Sequence, residues 1–137
     1  MPEYIKSTDG ALHIVHRGNS SKYGRTDLVD ESEFLQVSML KHNTGKSFSP
    51  HIHIEKQTDN LFQITQECWI VIKGSVLVNY YDTQGCFITS RSIFAGDCSI
   101  TIAGGHSYEI LDENTVVYEC KTGPYYGVEK DKVFINE

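Results

Sequence analysis

The chain has no cluster of lysine and arginine. Its formal net charge is −6 at pH 7. Binding a phosphate backbone needs grouped cations, so a nucleic-acid partner is disfavoured. Long hydrophobic runs are also missing. Stretches such as residues 69–72 are far too short to cross a bilayer, so no membrane partner is expected. Residues 1–6 carry no apolar stretch of signal-peptide length, and a cytoplasmic location is the expectation. There is no CxxC either. Cys68, Cys86, Cys98 and Cys120 are scattered, which argues against a zinc knuckle or a thioredoxin-like motif. In a reducing compartment they are expected as free thiols, several of them buried as small apolar residues. No nucleophile elbow, P-loop or dinucleotide fingerprint occurs. Helical periodicity is nearly absent as well.

What the chain does have is two-residue alternation. It reads as strands at 12–16, 34–41, 51–54, 67–72, 75–81, 87–93, 98–102, 107–111 and 116–120. Turn signals separate them, among them Asn43-Thr44-Gly45, Gly74, Asp82-Thr83-Gln84-Gly85, Gly96-Asp97 and Gly104-Gly105. Many short strands with regular turns predict one all-β sandwich or barrel, and 137 residues suffice for one such core. Residues 17–30 and 55–63 read as polar and irregular. The expected division is an N-terminal strand and irregular segment at 1–33, a barrel at 34–121, and an extended tail at 122–137.

Chemistry concentrates at His51-Ile52-His53. On a strand these imidazoles share one face, and Ile52 and Ile54 share the other. Two neutral imidazoles on one face are a common start for a transition-metal site. Glu67 and His106 are the candidates to complete it, with Glu55 as rival carboxylate and Gln57 as a weak alternative ligand. If Glu67 points inward, so do Trp69 and Val71, giving a partly apolar pocket wall. Glu119 and Lys121 share one face of the last strand. Facing inward, Lys121 could hold an anionic group and Glu119 could act as acid or base; facing outward, they are an edge pair. Tyr108 and Tyr80 are candidates for the cavity lining.

Gly45, five residues, and His51-Ile-His53 match the start of the first cupin motif. Glu67, six residues, and Gly74 match its end. Thirteen residues separate His53 from Glu67, far more than that motif's short gap. The second motif is matched by Gly96-Asp97 and by Gly104-Gly105-His106. There Ile102 stands in place of a proline, and the loop before His106 is one residue short. Over residues 34–121 the chain therefore resembles the cupins. Further pieces, from Gln66-Glu67 through Glu119-Cys120-Lys121-Thr122-Gly123-Pro124-Tyr125 to Asp131-Lys132, are similar to a group of small bacterial single-domain cupins. That group is linked to surface-polysaccharide loci and has no assigned reaction.

The resemblance implies a double-stranded β-helix, or jelly-roll barrel. It also implies one divalent transition metal (Fe, Mn, Ni, Co or Zn) held by His51, His53, Glu67 and His106. The resemblance implies no activity; the reading of the residues favours a metal-dependent enzyme that isomerises or epimerises a small-molecule substrate, a small polar metabolite such as a sugar or sugar-nucleotide, with Glu119, Lys121 and Tyr108 as catalytic candidates. An Fe(II) dioxygenase and a non-catalytic metabolite-binding module are the alternatives. Small cupins often dimerise, so a homodimer is expected. Such a dimer is one way to cover the apolar outer faces Ile52/Ile54 and Cys68/Ile70/Ile72.

Overall fold

Alternation becomes burial strand by strand. In Glu67–Lys73, residues Glu67, Trp69 and Val71 are buried, whereas Cys68 and Ile70 are half-exposed. In Thr115–Thr122, Val117, Glu119 and Lys121 are buried and Tyr118, Cys120 and Thr122 are less so. A pleated strand with one face on a core must show this period of two. The structure, a computed structural model, describes every residue except 1, 20, 21, 59, 60, 126 and 137, and for residues 55–58 and 61–64 it describes the backbone only.

The described elements run β1 (Glu3–Lys6), β2 (Leu12–Val15), β3 (Gly24–Asp27), β4 (Leu35–His42), β5 (Ser47–His53), β6 (Glu55–Thr58) and β7 (Leu61–Ile64). They continue with β8 (Glu67–Lys73), β9 (Ser75–Tyr81), β10 (Phe87–Phe94), β11 (Cys98–Thr101), β12 (Gly105–Ile110) and β13 (Thr115–Thr122). The chain closes with a helical turn α1 (Val128–Asp131) and β14 (Lys132–Phe134). Two five-stranded sheets, ordered β10-β9-β12-β5-β14 and β11-β8-β13-β4-β3, are joined throughout by antiparallel pairing. The fold is the all-β double-stranded β-helix expected from the alternation and the motifs. Leu40, Trp69, Val71, Val76, Val78, Ile93, Tyr108, Ile110 and Val117 form the core between the sheets. No helix among the described residues is long and apolar enough to cross a membrane.

Four segments differ from the sequence reading. Residues 3–6 form β1, which pairs with β2 in a separate two-stranded sheet. The polar stretch 17–30 contains β3, which extends the second sheet by pairing with β4. Residues 55–58 and 61–64 form a two-stranded ribbon, β6-β7, in place of an irregular stretch. The tail is not merely extended: it makes α1 and then β14, which pairs with β5 alongside the two histidines. The outer face of β8 remains partly open, with Ile72 exposed and, on the adjacent β11, Ile100 exposed opposite Cys68.

Two glycines set the geometry at strand ends. Gly74 joins β8 to β9 at φ +83°, and a Cβ there would lie 2.2 Å from Thr115 Oγ1. Gly104 precedes β12 at φ +109°, with Tyr81 O 2.6 Å from where a Cβ would be. Only glycine meets both the positive φ and the close approach without strain.

Candidate metal centre

Strand register brings the predicted ligands together. On β5 and β12, His51 and His106 are direct partners. Glu67, on the other sheet, pairs with Thr101 on one side and Lys121 on the other. All four side chains point between the sheets and are buried, and their ligand atoms lie within 4.8 Å of one another. The Nε2 atoms of His51 and His106 are 3.1 Å apart. Glu67 Oε2 lies 2.9 Å from His53 Nε2, and Oε1 lies 3.5 Å from His106 Nε2.

The outer nitrogens explain why the inner ones converge. His51 Nδ1 donates to Ser49 O at 2.8 Å, which leaves its Nε2 as a lone pair. His106 Nδ1 is 2.8 Å from Thr101 Oγ1 and 3.1 Å from the Tyr108 hydroxyl. His53 Nδ1 faces Asp131 Oδ2 at 3.2 Å. Anchoring one ring nitrogen so that the other points inward is how proteins orient imidazole ligands to metals.

The donor set fits a divalent transition ion. Metal–nitrogen and metal–oxygen bonds of about 2.0–2.2 Å place adjacent ligands about 3 Å apart, close to the separations of 2.9, 3.1 and 3.5 Å within a set whose atoms all lie within 4.8 Å. Both nitrogens of His53 are buried without a well-directed hydrogen bond among the described residues, although carboxylates stand close. A buried polar atom left this way is costly unless something else engages it.

Electrostatics divide the ligands. Burial, reinforced by the charge of Lys132, lowers the pKa of His51 to about 4. Burial lowers His106 to about 3 against the pull of Glu67. Both imidazoles are therefore neutral ligands at physiological pH. For His53, burial also acts downward, but Asp131 and Glu67 outweigh it and raise the pKa to about 9. Glu67 would be raised by burial, yet His53 and the other imidazoles hold it well below the usual carboxylate range. Burial, and then the charge of Glu67, raises the Tyr108 pKa well above the usual phenol value, so its hydroxyl stays protonated.

Tyr108 stacks on Trp69 with ring centroids 3.7 Å apart, and Phe48 stands edge-on to both. Its hydroxyl lies 3.3 Å from Glu67 Oε1. Glu119 accepts from Trp69 Nε1 at 3.1 Å and from Arg25 Nη2 at 2.7 Å. Lys121 lies 3.8 Å from Asp131 Oδ2. Glu119 and Lys121 thus face inward and are buried, which settles the orientation that the sequence left open. Tyr80 is half-buried against the core and bonds Ser99 instead. The side chains of Glu55 and Gln57 lie outside the described residues.

A small chamber of about 60 Å³ runs past these groups, lined by His51, Glu67, Trp69, Tyr108, Glu119 and Lys121 together with Arg25, Phe48 and Lys132. Arg25, Lys121 and Lys132 also line a basin of about 460 Å³. Arg25, Asp131 and Lys132 have no chemical role in the sequence reading. The last two appear there only as the end of a resemblance, because nothing in a short tail signals that it enters a barrel.

The fold is a double-stranded β-helix, and its three-histidine, one-glutamate cluster could hold a divalent metal. No family model and no curated protein sequence matches the chain. Solved structures do. KdgF from Halomonas sp. superposes with a TM-score of 0.56 at 16% identity, over 78% of this chain and 86% of its own. A protein from Klebsiella pneumoniae with a double-stranded β-helix domain gives 0.57 at 15% identity, over 88% and 90%. CapF from Staphylococcus aureus, a capsular polysaccharide assembling protein, gives 0.63 at 16% identity over 87% of this chain. The chain spans about a third of CapF, 31% of its length.

Proposed function

We propose that this protein is a metal-dependent enzyme that isomerises or epimerises a small polar metabolite, a sugar or sugar-nucleotide. The observation that carries this is the neutral Tyr108 hydroxyl in the chamber wall, within 3.3 Å of Glu67 and 3.1 Å of His106. Isomerisation next to a carbonyl needs a group that moves a proton and a group that stabilises the developing charge. A bound divalent ion supplies that stabilisation by polarising a carbonyl or hydroxyl. Tyr108 is a proton donor held in place by the Trp69 stack. Lys121 presents a cation to the same chamber. Glu119 has both oxygens engaged, so it places Trp69 and Arg25 and is less suited to proton transfer. The likeness to CapF, named for polysaccharide assembly, supports a carbohydrate substrate. Dimer formation belongs to the same proposal.

The test uses protein purified without a histidine tag, with its metal content measured. It is incubated with a panel of sugars and sugar-nucleotides in deuterated water, and deuterium incorporation is followed by NMR. Metal-dependent exchange at one carbon is expected, at least about tenfold slower in Tyr108→Phe, which is the low end of general acid–base contributions. Oxygen uptake by iron-loaded protein without exchange would move the assignment to a dioxygenase. Ligand binding with no turnover would move it to a binding module.

A further inference from the structure

Three cations stand where the narrow chamber meets the basin: Arg25, Lys121 and Lys132 line both. Two of them already have counter-ions. Arg25 holds Asp27 at 2.8 Å and Glu119 at 2.7 Å. Lys121 sits near Asp131 and over the Tyr125 ring, 4.6 Å from its centroid. Lys132 differs. Among the described residues, no carboxylate and no hydrogen-bond acceptor engages its ammonium group.

The strand keeps this ammonium at the site. Lys132 is the direct partner of His53 in the β14–β5 ladder, and directly opposed residues on antiparallel strands share a face. Its side chain therefore projects on the face that carries the ligand imidazoles. It is half-buried. A cation partly withdrawn from water beside a cavity is a cost unless a counter-ion arrives with a ligand.

Resting on the metal-dependent reading above, we propose that Lys132 anchors the carboxylate of the substrate, so that the metabolite is an acid: a sugar acid or a comparable hydroxy or keto acid. The dimensions favour carboxylate over phosphate. A chamber of about 60 Å³ has the space of roughly two waters, enough for a planar carboxylate beside the reacting carbon. A dianionic phosphoryl group is best held by more than one free cation, and among the described residues the rim has only Lys132 without a counter-ion. The basin, about 460 Å³, is in the range of small-molecule pockets and takes the rest of the molecule. Lys132 is a substrate-anchoring group here; the reaction itself is left to the chamber.

The experiment titrates Co(II)-loaded protein with glycolate, pyruvate and D-galacturonate, and with their neutral counterparts ethylene glycol, hydroxyacetone and D-galactose. Inorganic phosphate is a separate arm. Binding is read by calorimetry and by perturbation of the cobalt absorption bands. At least one acid is expected to bind about tenfold or more tightly than its neutral counterpart, as a charge-assisted contact implies. Lys132→Met should weaken that acid about tenfold and leave the neutral compound unchanged, and Lys132→Arg should restore most of the loss. Equal affinity for acid and neutral compound, unchanged acid affinity in Lys132→Met, or no binding by any acid overturns the proposal. Tighter binding of phosphate than of every acid overturns the carboxylate assignment. Absence of cobalt bands would instead be a failure of the metal reading. The calorimetric comparison of wild type with Lys132→Met is then run on metal-free protein, where the same preference for the acid decides the Lys132 proposal.

Discussion

Asp131 shows how one buried side chain sets the behaviour of a ligand. It is fully buried, bonds Thr65 at 3.3 Å, and faces His53 Nδ1 at 3.2 Å. Together with Glu67 it raises the His53 pKa to about 9 against the effect of burial. A raised folded-state pKa stabilises the metal-free fold fully below the ordinary imidazole value, and that stabilisation is lost as pH rises through about 9. A ligand imidazole must also lose its proton, so metal binding expels it. Glu67 is already ionised and adds no second proton. The apparent metal affinity should climb about tenfold per pH unit up to pH 9 and then level off. In Asp131→Asn the curve should level off near neutral pH, with its plateau about ten- to a hundredfold lower, the usual cost of losing a ligand's outer partner. Competition titrations with a chromophoric chelator between pH 6 and 10 measure both curves; parallel curves would show that Asp131 does not control His53. The His51-x-His53 pair was legible because alternation and flanking glycines give it a face and a frame. Asp131 was not, because its contact with His53 spans 78 positions and leaves no local pattern.

Elements were legible where one face is apolar. β8, β9 and β13 bury alternate residues, and their periodicity is written in Trp69, Val71, Val76, Val78 and Val117. β3 and β14 were missed because each carries a charged residue at an inward position. Arg25 on β3 points in to bond Glu119, and Lys132 on β14 shares the face of His53. Edge strands that carry function on their inner face give no hydrophobic signal, and sequence alternation cannot find them. The long gap before Glu67 is taken up by the β6-β7 ribbon, so β8 still enters the barrel in register with β13. A ribbon between two fixed strands costs little closure entropy, which is why the motif survives its insertion. The turn at Gly74 tolerates less. Gly74→Ala must hold φ +83° and push Thr115 Oγ1 away from a 2.2 Å approach. Urea unfolding monitored by Trp69 fluorescence should show a loss of about 2–3 kcal/mol, the combined scale of a positive-φ penalty and overpacking. A change within experimental error would mean that the β8–β9 turn can shift without cost.

At the scale of the whole molecule, the site is a junction between the two sheets. His51, His53 and His106 come from the β5–β12 side, and Glu67 comes from β8 on the other. The alternation and the two partial motifs made the barrel legible, because each strand needs a buried face and only a closed pair of sheets provides enough of them. What lies against the outside was not legible, and Leu35, Ile100 and Ile102 remain exposed there. The junction has a thermodynamic consequence. A buried cluster of three imidazoles and a carboxylate is poor glue by itself, since desolvation offsets the attraction. An ion that binds only when both sheets are in place stabilises the fold by mass action, about 2.7 kcal/mol at a hundredfold excess over Kd. For a domain of this size that corresponds to a rise in Tm on the order of 10 °C. Calorimetric scans of chelator-treated protein with Mn(II), Co(II), Ni(II) or Zn(II) added back should show the rise for at least one ion. Glu67→Gln and His106→Ala should abolish it, because the first removes the ligand contributed by β8 and the second removes one of the three imidazoles opposite it. The outer-face variant Ile100→Thr should keep the full rise. If the shift persists in both ligand variants, the stabilising ion binds elsewhere, and the His51, His53, Glu67, His106 cluster is not its site.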